Sequence, residues 1–112
     1  MKTVCIDFDG VLAQYDGWKG EEVVGEPVPG AIEFLELILK GGYRPMTWST
    51  RPYFVINNWV RKYCPRLVEE ILVPHEGQKP IAFIYIDDRA WLFRGVFPTL
   101  LQLATFKAHW EK

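Results

Sequence analysis

Thr3-Val4-Cys5-Ile6-Asp7-Phe8-Asp9-Gly10-Val11-Leu12-Ala13 is the stretch that decides how this chain is read. Val4-Cys5-Ile6 is a short apolar run of the kind that forms a buried strand, and it breaks abruptly into acid, aromatic, acid, glycine. On an extended chain residues two apart point the same way, so Asp7 and Asp9 can converge while Phe8 turns aside. Gly10 lets the chain turn sharply because it carries no Cβ. Two carboxylates held together raise one another's pKa, a costly arrangement unless a cation lies between them or one keeps a proton. Asp-Gly also builds ordinary hairpin turns, but the residues that follow do not alternate as a returning strand would.

The 112 residues are expected to form one domain spanning 1–112, with a hydrophobic fraction of 49% and a charged fraction of 24%, ordinary for a soluble globular protein. The formal charge of -1 carries no basic footprint and argues against sequence-independent nucleic-acid binding. The apolar stretches are too short to span a membrane, and an acid appears too early for a signal peptide. Cys5 and Cys64 make no disulfide framework, and with only His75 and His109 there is no zinc-ligand spacing. A reduced, cytoplasmic protein is expected, with Cys5 a small core residue and both histidines on the surface.

Outward from the opening stretch, the continuous apolar character of Lys2 to Ile6 suits a central parallel strand. Ala13 to Val28, interrupted by Gly17, Gly20, Gly25 and Pro27, reads as an irregular excursion with a short hairpin around Val23-Val24. Asp16, Gly17 and Trp18 would overhang the end of the strand. A helix opening at Pro29-Gly30 places Ile32, Leu35 and Leu39 on one stripe and stops at Gly41-Gly42. Tyr43 to Trp48 follows as a strand that places Trp48 in the core. After Ser49-Thr50-Arg51-Pro52 comes a second helix with Val55/Ile56, Trp59/Val60 and Tyr63 at helical spacing, stopped by Pro65. Ile71-Leu72-Val73 reads as a third strand and Ile81 to Ile86 as the strongest strand, running into Asp87-Asp88. Phe97 to Trp110 is expected to be a closing helix.

This order predicts an α/β fold, a three-layer α/β sandwich with a mainly parallel, Rossmann-like sheet. The first helix is expected on one face and the second on the other. Ligands in such sheets bind beyond the carboxyl ends of the strands, and three acid or hydroxyl clusters gather there: Asp7/Asp9, Ser49/Thr50 and Asp87/Asp88.

Four segments, DFDGVL, TWSTR, KPIAF and IYIDDR, occur in the order of the four motifs of the haloacid dehalogenase-like (HAD) superfamily, which the chain resembles over most of its length. Neither Ala13–Val28 nor Pro74–Gln78 is long enough for a cap domain, so the likeness is to small capless members of phosphatase type. The resemblance implies a Mg²⁺-dependent phosphomonoester hydrolase in which Asp7 is the nucleophile and forms an aspartyl-phosphate. Asp9 would protonate the leaving oxygen and then activate water. Ser49, or Thr50 after a one-residue slip, would bind a phosphoryl oxygen, although either could instead cap the helix before Pro52. Lys79 would neutralise phosphoryl charge and hold Asp7. Asp7, the backbone carbonyl of Asp9, Asp87 and Asp88 would hold the Mg²⁺, with Asp88 the direct ligand where most members have Gly-Asp.

Gly10 and Arg51 are counted with Ser49 and Thr50 among substrate-contacting residues, a surface salt bridge being the other role open to Arg51. Trp18 could stack on a substrate or simply pack. The expected partner is a small phosphorylated substrate, or a phosphorylated polynucleotide end at an exposed site, and a neighbouring subunit of a homo-oligomer could shield a smaller one. Two other readings use the same residue types: a receiver-type phospho-acceptor signalling domain, and a HAD-like scaffold that binds a phospholigand without turnover. Receivers place the acid pair early and the phosphorylated Asp alone after a later strand; here DxD comes first and DD late.

Overall fold

The computed structural model describes residues 2–74 and 80–112. Strand β1 (Thr3–Asp7) is central, flanked by β2 (Arg44–Trp48) and β3 (Ile84–Ile86), both parallel to it. Cys5 faces Met46 on one side and Tyr85 on the other, and Asp7 is level with Trp48. All three strands therefore end at the same rim, and Asp87 and Asp88 follow directly on β3.

The predicted third strand is reduced to a single bridge. Leu72 pairs with Met46 outside β2, donating to the Pro45 carbonyl (3.0 Å) and accepting from the Thr47 N–H (2.9 Å). The strand expected over 81–86 is also shorter than its apolar run, with only three residues laddered and Phe83 N–H adding a bond to the Thr3 carbonyl (2.8 Å). Ile84 and Tyr85 of this strand are 47% and 43% exposed.

Helix α1 (Ala31–Lys40) buries Ala31, Leu35 and Ile38. Its end is a Schellman motif: Tyr43 N–H reaches the Ile38 carbonyl and Gly42 N–H the Leu39 carbonyl, with Gly42 at φ 86° where a side chain would be strained. Helix α2 (Tyr53–Tyr63) starts after Pro52, whose φ of -57° is already helical, and buries Val55, Ile56, Trp59 and Val60. Cys64 leads into a 3₁₀ turn at Pro65–Leu67.

Both helices join one core with Val4, Ile6 and Phe8, which share a face of β1, and Phe8 meets Trp59 edge-on at 5.0 Å. The expectation of one helix on each face is thus corrected. From β1 to β2 to Leu72 the chain moves outward in the same direction, and two right-handed crossovers moving the same way lie on the same side. Between Leu72 and Ile84 the described residues form no helix. Helix α3 (Leu100–Ala104) has a complete capping box between Thr99 and Gln102 but only five residues, none buried. Pro98 restricts the residue before it, and without an apolar partner a helix this short has little to propagate it. The closing helix predicted over Phe97 to Trp110 is therefore mostly absent. Among the described residues, no helix is long and apolar enough to cross a membrane.

The excursion is organised at its base rather than at Val23-Val24. Ala13 bridges Pro27, Gln14 N–H donates to Glu26 and Val28 N–H to Leu12. Its middle is pinned by Trp59 Nε1–H on the Gly25 carbonyl at 2.9 Å.

Thr47 is 2% exposed, and its hydroxyl has no hydrogen-bond partner among the described residues. Because the desolvation cost of that oxygen is uncompensated, Thr47→Val is expected to stabilise the fold by about 1 kcal/mol. A raised urea midpoint with unchanged m-value would register it.

Candidate functional site

A cavity of about 290 Å³ opens at the carboxyl rim of the sheet, walled by Asp7, Asp9, Ser49, Thr50, Asp87 and Asp88 together with Tyr15, Trp18, Trp48 and Arg89. One oxygen from each of Asp7, Asp87 and Asp88 lies within 4.8 Å of the others. β1 delivers Asp7 at its last residue. The turn after β3 delivers the other two, shaped by the Asp87 carboxylate accepting from the Arg89 N–H at 2.8 Å.

The electrostatics are those of carboxylates pressed together. Burial, a hydrogen bond with Asp88 and the charges of Asp87 and Asp88 push the Asp7 carboxyl up to about 8. Burial alone would also raise Asp88, but hydrogen bonds from Asp7 and the Trp110 indole hold it below its ordinary value. The two carboxyls are thus driven apart, Asp7 upward and Asp88 downward. Three hard carboxylate donors at this spacing suit a divalent cation such as Mg²⁺.

Asp9 lines the same cavity, but its carboxylate is taken by Arg51, whose Nε and Nη2 donate to the two oxygens at 2.8 and 3.1 Å. Arg51 is not the surface residue of one sequence reading: it is 3% exposed. Its Nη1 donates to the carbonyls of Gly20 and Glu21 (2.8 and 2.7 Å), and its guanidinium lies 4.7 Å from the Trp18 ring centroid. One buried cation therefore orients Asp9 and ties down the excursion. Trp18, 55% exposed, is held at the cavity mouth.

Ser49 Oγ accepts from the Arg51 N–H at 3.1 Å, closing a local turn, and no side chain caps α2. Thr50 is exposed at the cavity wall. Gly10 has φ 85°, and a Cβ there would collide with the Asp88 carboxylate and the Trp110 indole. Trp48 is half-buried and lines the cavity rather than the core. Lys79 and His75 lie outside the described residues.

No family model matches the chain, and no curated protein matches it in sequence. A solved structure described as the conserved protein coded by a locus from Bacteroides thetaiotaomicron is 25% identical, with a TM-score of 0.61 over 88% of this chain and 82% of that one. That likeness supports the α/β architecture; its description assigns no activity.

Sequence reasoning missed the C-terminal tail, which folds back onto the site. Trp110 Nε1–H donates to Asp88, and the Trp110 ring meets Tyr15 edge-on at 4.8 Å and lies under Arg89. His109, exposed as expected, has its Nε2 against the Gly10 carbonyl. Arg89 pairs with Glu111 at 2.9 Å. A tail reading as the end of a helix carries no local mark of contacts with residues so far back in the chain.

Two outcomes are expected from this geometry. Arg51→Ala leaves a carboxylate and two backbone carbonyls without their donor, and is expected to cost about 3 kcal/mol in urea unfolding, as for other broken buried pairs. The Asp7 carboxyl, raised from 3.8 to about 8, holds a proton in the folded chain that the unfolded chain has lost within that window. Stability of the cation-free protein is therefore expected to fall as pH rises from roughly 4 to 8. Asp7→Asn is expected to flatten that slope, read from urea midpoints across the range.

Proposed function

We propose that this chain is a capless, HAD-type phosphomonoester hydrolase dependent on Mg²⁺ and working through a phosphoryl group on Asp7. The observation that carries the reading is the convergence of Asp7, Asp87 and Asp88 within 4.8 Å, with Asp9, Ser49 and Thr50 on the same cavity wall. The pairing order supports it. With Leu72 outside β2, the segments lie in the order third, second, first, fourth. The order then reverses between β1 and β3, where such sheets hold their ligands and where these acids gather. A receiver-type domain has the flavodoxin-like order, with its third strand beyond β1, so this arrangement weighs against that alternative.

Asp7, Asp87 and Asp88 would hold the Mg²⁺, which when bound supplies positive charge against the carboxylates and an anionic phosphate. An Asp7 oxygen attacks phosphorus, and the bond from phosphorus to the leaving oxygen breaks as the new bond forms. Asp9 gives that oxygen its proton, then takes one from the water that cleaves the acyl phosphate and releases inorganic phosphate. Arg51, donating to both Asp9 oxygens, fixes their direction. Ser49 and Thr50 offer hydroxyls to the phosphoryl oxygens, and Lys79 is assigned to the remaining charge.

Multiple turnovers of 4-nitrophenyl phosphate with Mg²⁺, lost by at least about a thousandfold in Asp7→Asn, are the expected result. A single phosphorylation that persists would instead favour the receiver reading. Trp110→Phe keeps the ring but removes the donor that orients Asp88. It is expected to weaken Mn²⁺ or Mg²⁺ binding by roughly ten- to a hundredfold in calorimetric titration.

A further inference from the structure

Among the described residues, thirteen of the nineteen exposed large hydrophobic side chains fall between Ile81 and Phe106. They begin on the sheet. Tyr85 shares the Cys5 face with Met46, opposite the face that α1 and α2 cover, and Phe83 stacks on Tyr43 beside them. Phe83, Tyr85, Trp91 and Leu92 line a groove of about 830 Å³. The apolar surface continues through Phe93 and Phe97, whose rings lie 4.8 Å apart, to Leu100, Leu101 and Leu103 on α3, at 84%, 72% and 59% exposed. The radius of gyration, 14.7 Å, exceeds the roughly 13 Å of a packed domain this size.

We infer that this face is the interface of a two-fold homodimer, in which a second copy supplies a layer over the sheet that the described residues leave open. Area is the first reason. Leaving out Ile84, which pairs with Val4 on the other face, and at ~200 Å² for a large side chain, the remaining twelve residues expose on the order of 1,500 Å². A monomer's largest apolar patch is about 300–600 Å², whereas each partner of a stable complex contributes about 800 Å². The second reason is charge. From Gly95 to Phe106 there is no charged residue, so that part of the surface, beyond Asp87, Asp88, Arg89 and Arg94, offers no charge to a partner. A two-fold interface sets each patch against its own copy, and an uncharged apolar patch meets itself without like-charge repulsion. Trp48 and Asp87 wall both the groove and the acid cavity, so the second copy also borders the site.

Sedimentation of the full chain at micromolar concentration tests this. A single dimeric species is expected, and Leu100→Glu/Leu103→Glu is expected to raise its dissociation constant at least a hundredfold while far-UV circular dichroism is unchanged. Because α3 buries nothing within the protomer, that variant should still fold; Ile81→Lys, at a residue 94% exposed, gives a second reading at the other end of the patch. A monomer at about 100 μM, a dimer indifferent to all three substitutions, or a ladder of larger polymers would each overturn the inference. None of these outcomes depends on phosphatase activity.

Discussion

Three carboxylates held within 4.8 Å of one another repel, and the rest of this architecture is what holds them there. Parallel pairing of β1 with β3 sets the separation, because a register of Ile6 against Ile86 leaves Asp7 beside Asp87 and Asp88 with no freedom to slide. The Trp110 indole takes part of the charge on Asp88, and Asp7 keeps a proton well above the normal carboxylate range. Gly10, at a backbone conformation that disfavours side chains, leaves the space in which the Asp88 and Trp110 side chains meet. Removing any of these leaves charge in a half-buried place without compensation.

Arg51 is the counterpart on the other side of the cavity. A buried guanidinium is tolerable only when its donors are used, and Arg51 spends its own on the Asp9 carboxylate and on two carbonyls of the excursion. The excursion is thereby a fixed wall, with Trp59 holding it at Gly25 and Trp18 resting on the guanidinium. This loop gives the chain its own means of shaping the approach to the acids.

The sheet is covered unevenly for a topological reason. Successive right-handed crossovers in one direction send both long helices to the Val4/Ile6/Phe8 face, and the return to β3 includes no described helix. The same sheet that gathers the acids at its rim therefore leaves Tyr85 and its neighbours open on the other side.

Much was legible in the residues alone. Local geometry and periodicity placed β1 and its acids, α1 with its glycine stop, and the proline start of α2, because each depends on neighbours within a few positions of sequence. The α/β class and the meeting of Asp7 with Asp87 and Asp88 at one rim also followed from pattern. What depended on distant partners did not. The Ile81 to Ile86 run reads as the strongest strand, yet only Ile84–Ile86 is laddered and it stays half-exposed, since apolar character reports the tendency to be covered and not whether this chain supplies the cover. Leu72 kept one bridge, and the helix expected from Phe97 onward shrank to five residues, none of them buried among the described residues. Arg51 and Trp110 became central through contacts 42 and 22 residues away. A side chain's charge and shape are written in sequence; which distant group it satisfies is settled only when the chain closes on itself.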